Sequence, residues 1–242
     1  MWPGRTGNIW GARIMEAIIL AGGFGKRLHQ VVNDVPKPMA PISGRPFLEI
    51  LLRSLAQKGF LRVVLSLGFK AEMISSHFGS RFSGLDLAYV TEDAPLGTGG
   101  ATRLAVTACT QDNVFVFNGD TFLDLEVEFL ERQWQKNRNP IIVSKKVLDT
   151  TRYGQLVVDD VRITSFAEKK VLGPGLINAG CYVLGAGALT RFPLYQPFSI
   201  ETDYFVPEVS RATVEAFVTE GMFIDIGIPD DYSLAQTLLA DR

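Results

Sequence analysis

Cysteine and histidine are scarce, with two of each in 242 residues. Cys109 and Cys181 form neither a C-x-x-C pair nor a metal-spaced cluster, and two cysteines are too few for a disulfide scaffold. Both are expected to be buried thiols in a reducing, cytoplasmic setting. His29 and His77 stand alone, which argues against a histidine-ligated metal and leaves no histidine-based catalytic triad. No apolar run approaches the roughly 20 residues of a membrane helix. The N-terminus also lacks the apolar core of a secretory signal. A net charge of −2 gives no electrostatic reason to expect nucleic acid. Internal repeats, low-complexity segments and clear linkers are missing too.

The chain is not short of apolar residues, which make up 47% of it, enough for the core of one large α/β domain. Residues 1–14 are rich in Gly, Arg and Trp without periodicity, and read as an N-terminal extension. The domain is expected to span residues 15–242, either as a monomer or within a homo-oligomer.

A glycine turn charged at its far end opens that domain. Ala17-Ile-Ile-Leu20 reads as a buried parallel strand. Gly22, Gly23 and Gly25 follow and let backbone N–H groups approach a ligand closely. Lys26 and Arg27 then place cations beside the turn, and a guanidinium can grip phosphate through two hydrogen bonds. Lys37 adds another cation inside Pro36-Lys37-Pro38, a stiff segment. Together these residues describe a triphosphate site. A Walker A loop does not fit, because Leu20 occupies the leading glycine position and Arg27 the Ser/Thr position. A dinucleotide-binding turn does not fit either: Leu28 replaces the third glycine, and Glu49, near the offset of the ribose-binding acid, falls in a helical pattern.

Downstream, strand and helix signals alternate. Phe47 to Ala56 repeats apolar residues at helical spacing, with Gly59 as its stop. Leu61–Leu67 reads as a strand, Ala71–Phe78 as a helix and Leu85–Val90 as a strand. Gly100–Ala108 reads as a helix, Val114–Phe117 as a strand, Glu126–Asn137 as a helix and Ile141–Val147 as a strand. This order predicts an α/β fold with a doubly wound, mostly parallel, Rossmann-like sheet. Tyr153–Val158, Arg162–Ala167 and Ile177–Val183 lack long helices between them, which predicts a small antiparallel insertion. Glu201–Ser210 reads as a helix, Val214–Val218 and Phe223–Ile226 as strands, and Pro229–Leu239 as a closing helix. Ligands of such sheets bind beyond the carboxyl ends of the strands, so the glycine turn and Asn118-Gly119-Asp120 are expected to share one crevice.

Two aspartates stand out there. Asp120 leaves the strand Val114-Phe-Val-Phe117, and Asp225 interrupts Phe223-Ile-Asp-Ile226 just before Gly227. Mg²⁺ typically takes one or two carboxylates plus phosphate oxygens and water. Taken alone, Asp120 reads equally as a turn cap, and Asp225 as a solvent-facing carboxylate on an edge strand.

LAGGFGKRL, DVPKPMAPISGRPFLE, EDAPLGTGGA, FNGDTF, FAEKK, INAGCYVL and GMFIDIGIPDDY run through the chain in that order from about Met15. In these motifs and their order the sequence is similar to the sugar-1-phosphate nucleotidylyltransferases. VVNDVPKPMAP, PLGTGGA, PFSIETDY and FIDIGIPDDY resemble most the branch that transfers GMP from GTP to D-glycero-α-D-manno-heptose 1-phosphate. A mannose-1-phosphate guanylyltransferase, another sugar's uridylyl- or cytidylyltransferase, and a non-catalytic nucleotide-sugar-binding subunit stand as alternatives. The resemblance implies a nucleotide-diphospho-sugar transferase fold and a soluble enzyme that makes an NDP-sugar and pyrophosphate for surface glycans. It assigns phosphate binding and catalysis to Arg27 and Lys37, and Mg²⁺ binding to Asp120 and Asp225. It gives the nucleotide Leu20, Gly22, Gly23, Gly25, Lys26, Glu92, Gly97, Thr98 and Gly99. It gives the sugar phosphate Asn118, Tyr153, Gly154, Glu168 and Asn178, with Lys169 neutralising the acceptor phosphate. Lys26 departs from the pattern, because many relatives have Thr or Ser there. Glu92 is expected to receive the N1–H and amino group of guanine, since an ionised carboxylate only accepts.

Overall fold

A computed structural model describes residues 14–23, 35–167 and 173–242. The chain enters through β1 (Met15–Leu20), where Ala17, Ile18 and Ile19 are wholly buried. A small hairpin, β2 (Pro41–Ile42) and β3 (Arg45–Pro46), leads into α1 (Phe47–Gln57). Gly59 follows that helix with φ +87°, a left-handed stop that a side chain would strain. Next come β4 (Phe60–Leu67), α2 (Ala71–Phe78), β5 (Arg81–Phe82) and β6 (Leu85–Thr91). After them lie α3 (Gly97–Ala105), β7 (Asn113–Asn118), β8 (Thr121–Leu123), α4 (Val127–Asn137) and β9 (Ile141–Val147). The rest comprises β10 (Gln155–Asp159), β11 (Arg162–Ala167) and β12 (Gly175–Gly185), then a π-helical turn (Ile200–Phe205) that continues into α5 (Val206–Arg211). Finally, β13 (Glu215–Thr219), β14 (Phe223–Asp225) and α6 (Pro229–Leu238) follow.

Among the described residues, ten strands form one sheet in the order β10-β11-β13-β9-β12-β7-β1-β4-β6-β5. The half carrying β7, β1, β4 and β6 is parallel throughout. Register there matters for function. Leu20 pairs with both Ser66 of β4 and Asn118 of β7, so three strand ends stand level. Ile19 and Ile18 point to opposite faces and join different apolar clusters. One cluster holds the inner faces of α1, α2, α4 and α6, the other the end of α3, the π-helical turn and α5. Helices on both faces are the doubly wound layering expected. Each of these isoleucines, 0% exposed, stabilises the fold by about 1.5–3 kcal/mol through burial.

The antiparallel component is placed differently from the sequence expectation. The Ile177–Val183 segment lies not in an insertion but at the centre of the sheet, where β12 runs antiparallel to both β7 and β9. Its run of buried residues from Ala179 to Leu184 satisfies that place, covered on both faces. Of these three segments, β10 and β11, with the first residues of β12, form the local antiparallel patch. Neither cysteine is disulfide-bonded; Cys181 is buried, but Cys109 only partly so. Burial still pushes the Cys109 thiol up to about 12, so it offers no ready thiolate.

Candidate active site

Where the level strand ends stop, the backbone crosses from strand to strand. Ala21 N–H donates to Ser66 O at 2.8 Å, and Gly119 N–H donates to Leu20 O at 3.0 Å. These contacts bring the glycine turn against the Asn118–Asp120 corner. A cleft of about 280 Å³ opens above them, lined by Leu20, Gly22, Gly23, Lys37, Glu92, Gly97, Thr98, Asn118 and Asp120 among others. Nine residues proposed from sequence for phosphate, base, sugar and metal thus share one crevice. Gly25, Lys26, Arg27, Glu168 and Lys169 lie outside the described residues.

α3 starts at Gly97, three residues before the expected Gly100, so Gly97, Thr98 and Gly99 form its first turn. Two glycines in that turn and a third, Gly100, directly after it give weak intrinsic helix propensity. Tertiary contact compensates, since Gly99 N–H and Gly100 N–H both donate to Phe198 O. Gly97 itself has φ +68°, and a Cβ there would stand 2.7 Å from Phe198 O. Gly99 does not face the cleft. A side chain on it would strike the Phe198 ring, which stacks on Phe192 at 4.0 Å.

Glu92 extends the end of β6, its N–H donating to Leu67 O at 2.8 Å. Its Oε2 accepts the Leu96 N–H at 2.8 Å, and its Oε1 the Ser66 hydroxyl at 3.4 Å. Burial pushes this carboxyl above the usual carboxylate range, with those two donors pulling against it.

The acidic centre forms where a second, two-stranded sheet meets the first. β14 pairs antiparallel with β8, setting Asp225 opposite Thr121 and beside Asp120, and Ile226 N–H donates to Asp120 O at 2.9 Å. Lys37, on a 3₁₀ turn (Lys37–Met39) held by its two flanking prolines, donates to Asp120 Oδ2 at 2.6 Å. Gly227 N–H donates to Asp225 Oδ1 at 2.7 Å. Burial, then the charge of Asp120, raises the Asp225 carboxyl, while Lys37 and the Gly227 N–H oppose the rise. Among the described residues, Lys37 is hydrogen-bonded to this pair, and Arg152 lies within electrostatic reach of Asp225. Among the described residues no group of three or more His, Cys, Asp and Glu could hold a metal. Asp120 and Asp225 form a two-carboxylate pair able to hold a divalent cation alongside a ligand's own oxygens.

A second cleft, about 580 Å³, is lined by Arg152, Tyr153, Gly154, Asn178, Asp225, Gly227 and Ile228. It contains three of the residues proposed for the sugar phosphate, and Asp225 borders it. Asn118 is on the nucleotide side instead, in the first cleft. Arg152 carries no signal of its own in the sequence, although it adjoins Tyr153; it pairs with Asp231 of α6 at 2.7 Å. Tyr182 and Glu201 are not picked out as site residues by the sequence either, although INAGCYVL contains Tyr182 and PFSIETDY contains Glu201.

The family model described as nucleotidyl transferase matches residues 16–242. The chain belongs to the nucleotidyl transferase family. It is 40% identical over 223 residues to the D-glycero-α-D-manno-heptose 1-phosphate guanylyltransferase of Aneurinibacillus thermoaerophilus, covering 92% of this chain and 97% of that protein. The enzyme of the same name from Campylobacter jejuni is 38% identical over 220 residues, covering 90% of this chain and 97% of that one. Among solved structures, HddC from Yersinia pseudotuberculosis superimposes with a TM-score of 0.83 at 37% identity, over 92% of this chain and 98% of that one. The same protein complexed with GMP-PN superimposes with a TM-score of 0.82. For this nucleotidyl transferase, the likeness therefore extends over nearly the whole length of these relatives.

Proposed function

We propose that the protein transfers GMP from GTP to D-glycero-α-D-manno-heptose 1-phosphate, giving the GDP-sugar and pyrophosphate. The observation that carries this reading is the convergence of Lys37, Asp120 and Asp225 between the cleft lined by the glycine turn and Glu92 and the cleft lined by Tyr153, Gly154 and Asn178. A phosphate oxygen of the sugar phosphate attacks the α-phosphorus in line; that new P–O bond replaces the bond to the β-phosphate, and pyrophosphate leaves. The nucleophile is already anionic, so no general base is needed. What remains is positioning and charge stabilisation.

The chain's residues divide that work. The backbone of Leu20, Gly22 and Gly23 cradles the triphosphate, and Lys37 holds phosphate oxygens next to the reacting centre. Arg27 and Lys169 take the departing pyrophosphate and the acceptor phosphate in this reading. Asn178, Tyr153 and Gly154 hold the sugar. Asp120 and Asp225 would hold Mg²⁺, and a half-buried carboxyl raised by a second carboxylate beside it fits a dication there. When bound, Mg²⁺ would supply neutralisation of phosphate charge. No helix of the described residues is long and apolar enough to cross a membrane. We place the reaction in the cytoplasm, where nucleoside triphosphates are available.

Pyrophosphate release tests this directly. Purified protein is expected to release pyrophosphate fastest with GTP and the heptose 1-phosphate, and slower when mannose 1-phosphate, UTP or CTP is substituted. Faster turnover with another pair would move the assignment to that pair, and none with any pair would reject it.

A further inference from the structure

A chain of hydrogen bonds joins the two clefts behind the reacting centre. In β12 the register slips between Asn178 and Cys181, because Ala179 and Gly180 bulge out of the pairing with β9. A bulge re-aims the side chains beside it. Here it turns Asn178 into the sugar-side cleft and brings Gly180 N–H onto Asn178 Oδ1 at 2.9 Å. Asn178 Nδ2 donates to the Tyr182 hydroxyl at 2.9 Å, and that hydroxyl donates to Glu201 Oε1, also at 2.9 Å. Glu201 Oε2 in turn accepts the hydroxyls of Thr98 at 2.6 Å and Ser199 at 2.7 Å. Thr98 lines the nucleotide-side cleft.

Two members of this chain leave no choice of direction. A backbone N–H can only donate, so the amide atom facing Gly180 is the oxygen. An ionised carboxylate only accepts, so Tyr182 spends its proton on Glu201 and its oxygen must accept, from Nδ2. The tyrosine is 0% exposed, so water does not compete for its hydroxyl. Asn178 therefore cannot exchange its donor and acceptor edges, as a free amide could.

We infer that Glu201 and Tyr182 are positioning residues for the acceptor sugar: they lock the Asn178 amide in one orientation and anchor it to Thr98, at the start of the nucleotide-binding helix. The inference rests on the proposed sugar site and adds a selectivity device to it. With the amide locked, its remaining N–H and lone pair point in fixed directions, so a sugar hydroxyl is held only where the ring places its oxygen on one of them. Without the lock, the amide can turn to suit it.

Steady-state kinetics of four proteins test the inference: wild type, Asn178→Ala, Tyr182→Phe and the double variant. Tyr182→Phe is expected to raise KM for the sugar 1-phosphate about tenfold, on the scale of leaving one buried polar group unpaired. KM for GTP should stay within about twofold, because Thr98 and Ser199 still hold Glu201. Discrimination between the heptose and mannose 1-phosphates should narrow. The double variant should be no worse than Asn178→Ala in sugar KM, since a residue acting through Asn178 adds nothing once Asn178 is gone. A merely structural tyrosine would lower the melting temperature and leave the KM ratio and the sugar preference unmoved. That outcome overturns the inference, as does a sugar KM that multiplies in the double variant. If Asn178→Ala leaves the sugar KM unchanged while turnover persists, the sugar-site assignment falls and the inference with it. A wild type without turnover rejects the functional reading itself.

Discussion

Lys37 and Asp120, 83 residues apart in sequence, meet at 2.6 Å, and Asp225 faces the same point from a different strand. Asp120→Asn and Asp225→Asn keep the shape and remove one charge each. Each variant is expected to lose about a hundredfold or more in kcat, the scale of losing a main electrostatic stabiliser. Each should also need more Mg²⁺ for half-maximal activity. Near-wild-type pyrophosphate release at low Mg²⁺ by either variant would remove that residue from the metal pair.

Gly227 tests the same centre by crowding it. An added Cβ would stand 2.7 Å from Asp225 Oδ1 and 3.1 Å from Lys37 Nζ. The residue is not among those with positive φ, so alanine does not strain the backbone. Gly227→Ala is therefore expected to turn the Asp225 carboxylate and cut kcat at least about tenfold, while stability changes by no more than about 1 kcal/mol. A thermal melt and a kinetic trace on one preparation separate the two effects. Unchanged kcat would show that the carboxylate can turn without consequence.

Much of this site is legible because its chemistry is local in sequence. The glycine turn, the proline-flanked Lys37 and the two aspartates at strand exits each announce themselves within a few residues. The register of β1 with β4 and β7 then sets the glycine turn against the corner that carries Asp120. The helix α2 and the strands β9 and β11 also fall where periodicity places them. Long-range pairing is less legible. Nothing in Ala179–Leu184 says that its partners are β7 and β9, across α4 and the β10–β11 hairpin, instead of a nearby strand. The first turn of α3 escapes sequence reading because Gly-Thr-Gly-Gly is a poor helix former, and the carbonyl that steadies it belongs to Phe198. Glu201 stays silent for the same reason, since Thr98, 103 residues away, and Tyr182 become its neighbours only on folding.

Arg27 belongs to the glycine turn by sequence, outside the described residues. A guanidinium can bind two phosphate oxygens in a fixed plane, which an ammonium cannot do. Arg27→Lys, which conserves charge, is expected to lower kcat by about tenfold or more, on the scale of weakening one electrostatic stabiliser of the transition state. Retention of wild-type kcat would reduce Arg27 to a general positive charge.

The extension at residues 1–14 offers a simpler test. The family match begins at residue 16, immediately after β1 starts at Met15. A protein starting at Met15 is expected to keep its melting temperature and its kcat/KM. A fall of several degrees in the melt would show that the extension packs on the domain.

Glu92 is the residue proposed to choose the base. Its Oε2 already accepts the Leu96 N–H, yet each carboxylate oxygen has two lone pairs, so N1–H and the exocyclic amino group of guanine can still be received. Uracil and cytosine offer no such pair of donors. Burial raises this carboxyl, so the folded protein favours the protonated form: stability from this group is full below its unfolded pKa and is lost as pH rises through the folded one. Glu92→Gln should therefore melt no lower than wild type at neutral pH, because a glutamine oxygen still accepts from Leu96. Its KM for GTP should nonetheless rise about tenfold or more, and that for UTP much less, since an unpaired guanine donor costs about 1–3 kcal/mol. The same ionisation sets a pH signature. As pH falls through the raised carboxyl, wild-type KM for GTP should climb, and in Glu92→Gln that climb should vanish. A Glu92→Gln protein whose GTP KM and pH profile match wild type would take Glu92 out of base recognition, and a competition in which UTP or CTP outruns GTP would take guanine out of the assignment.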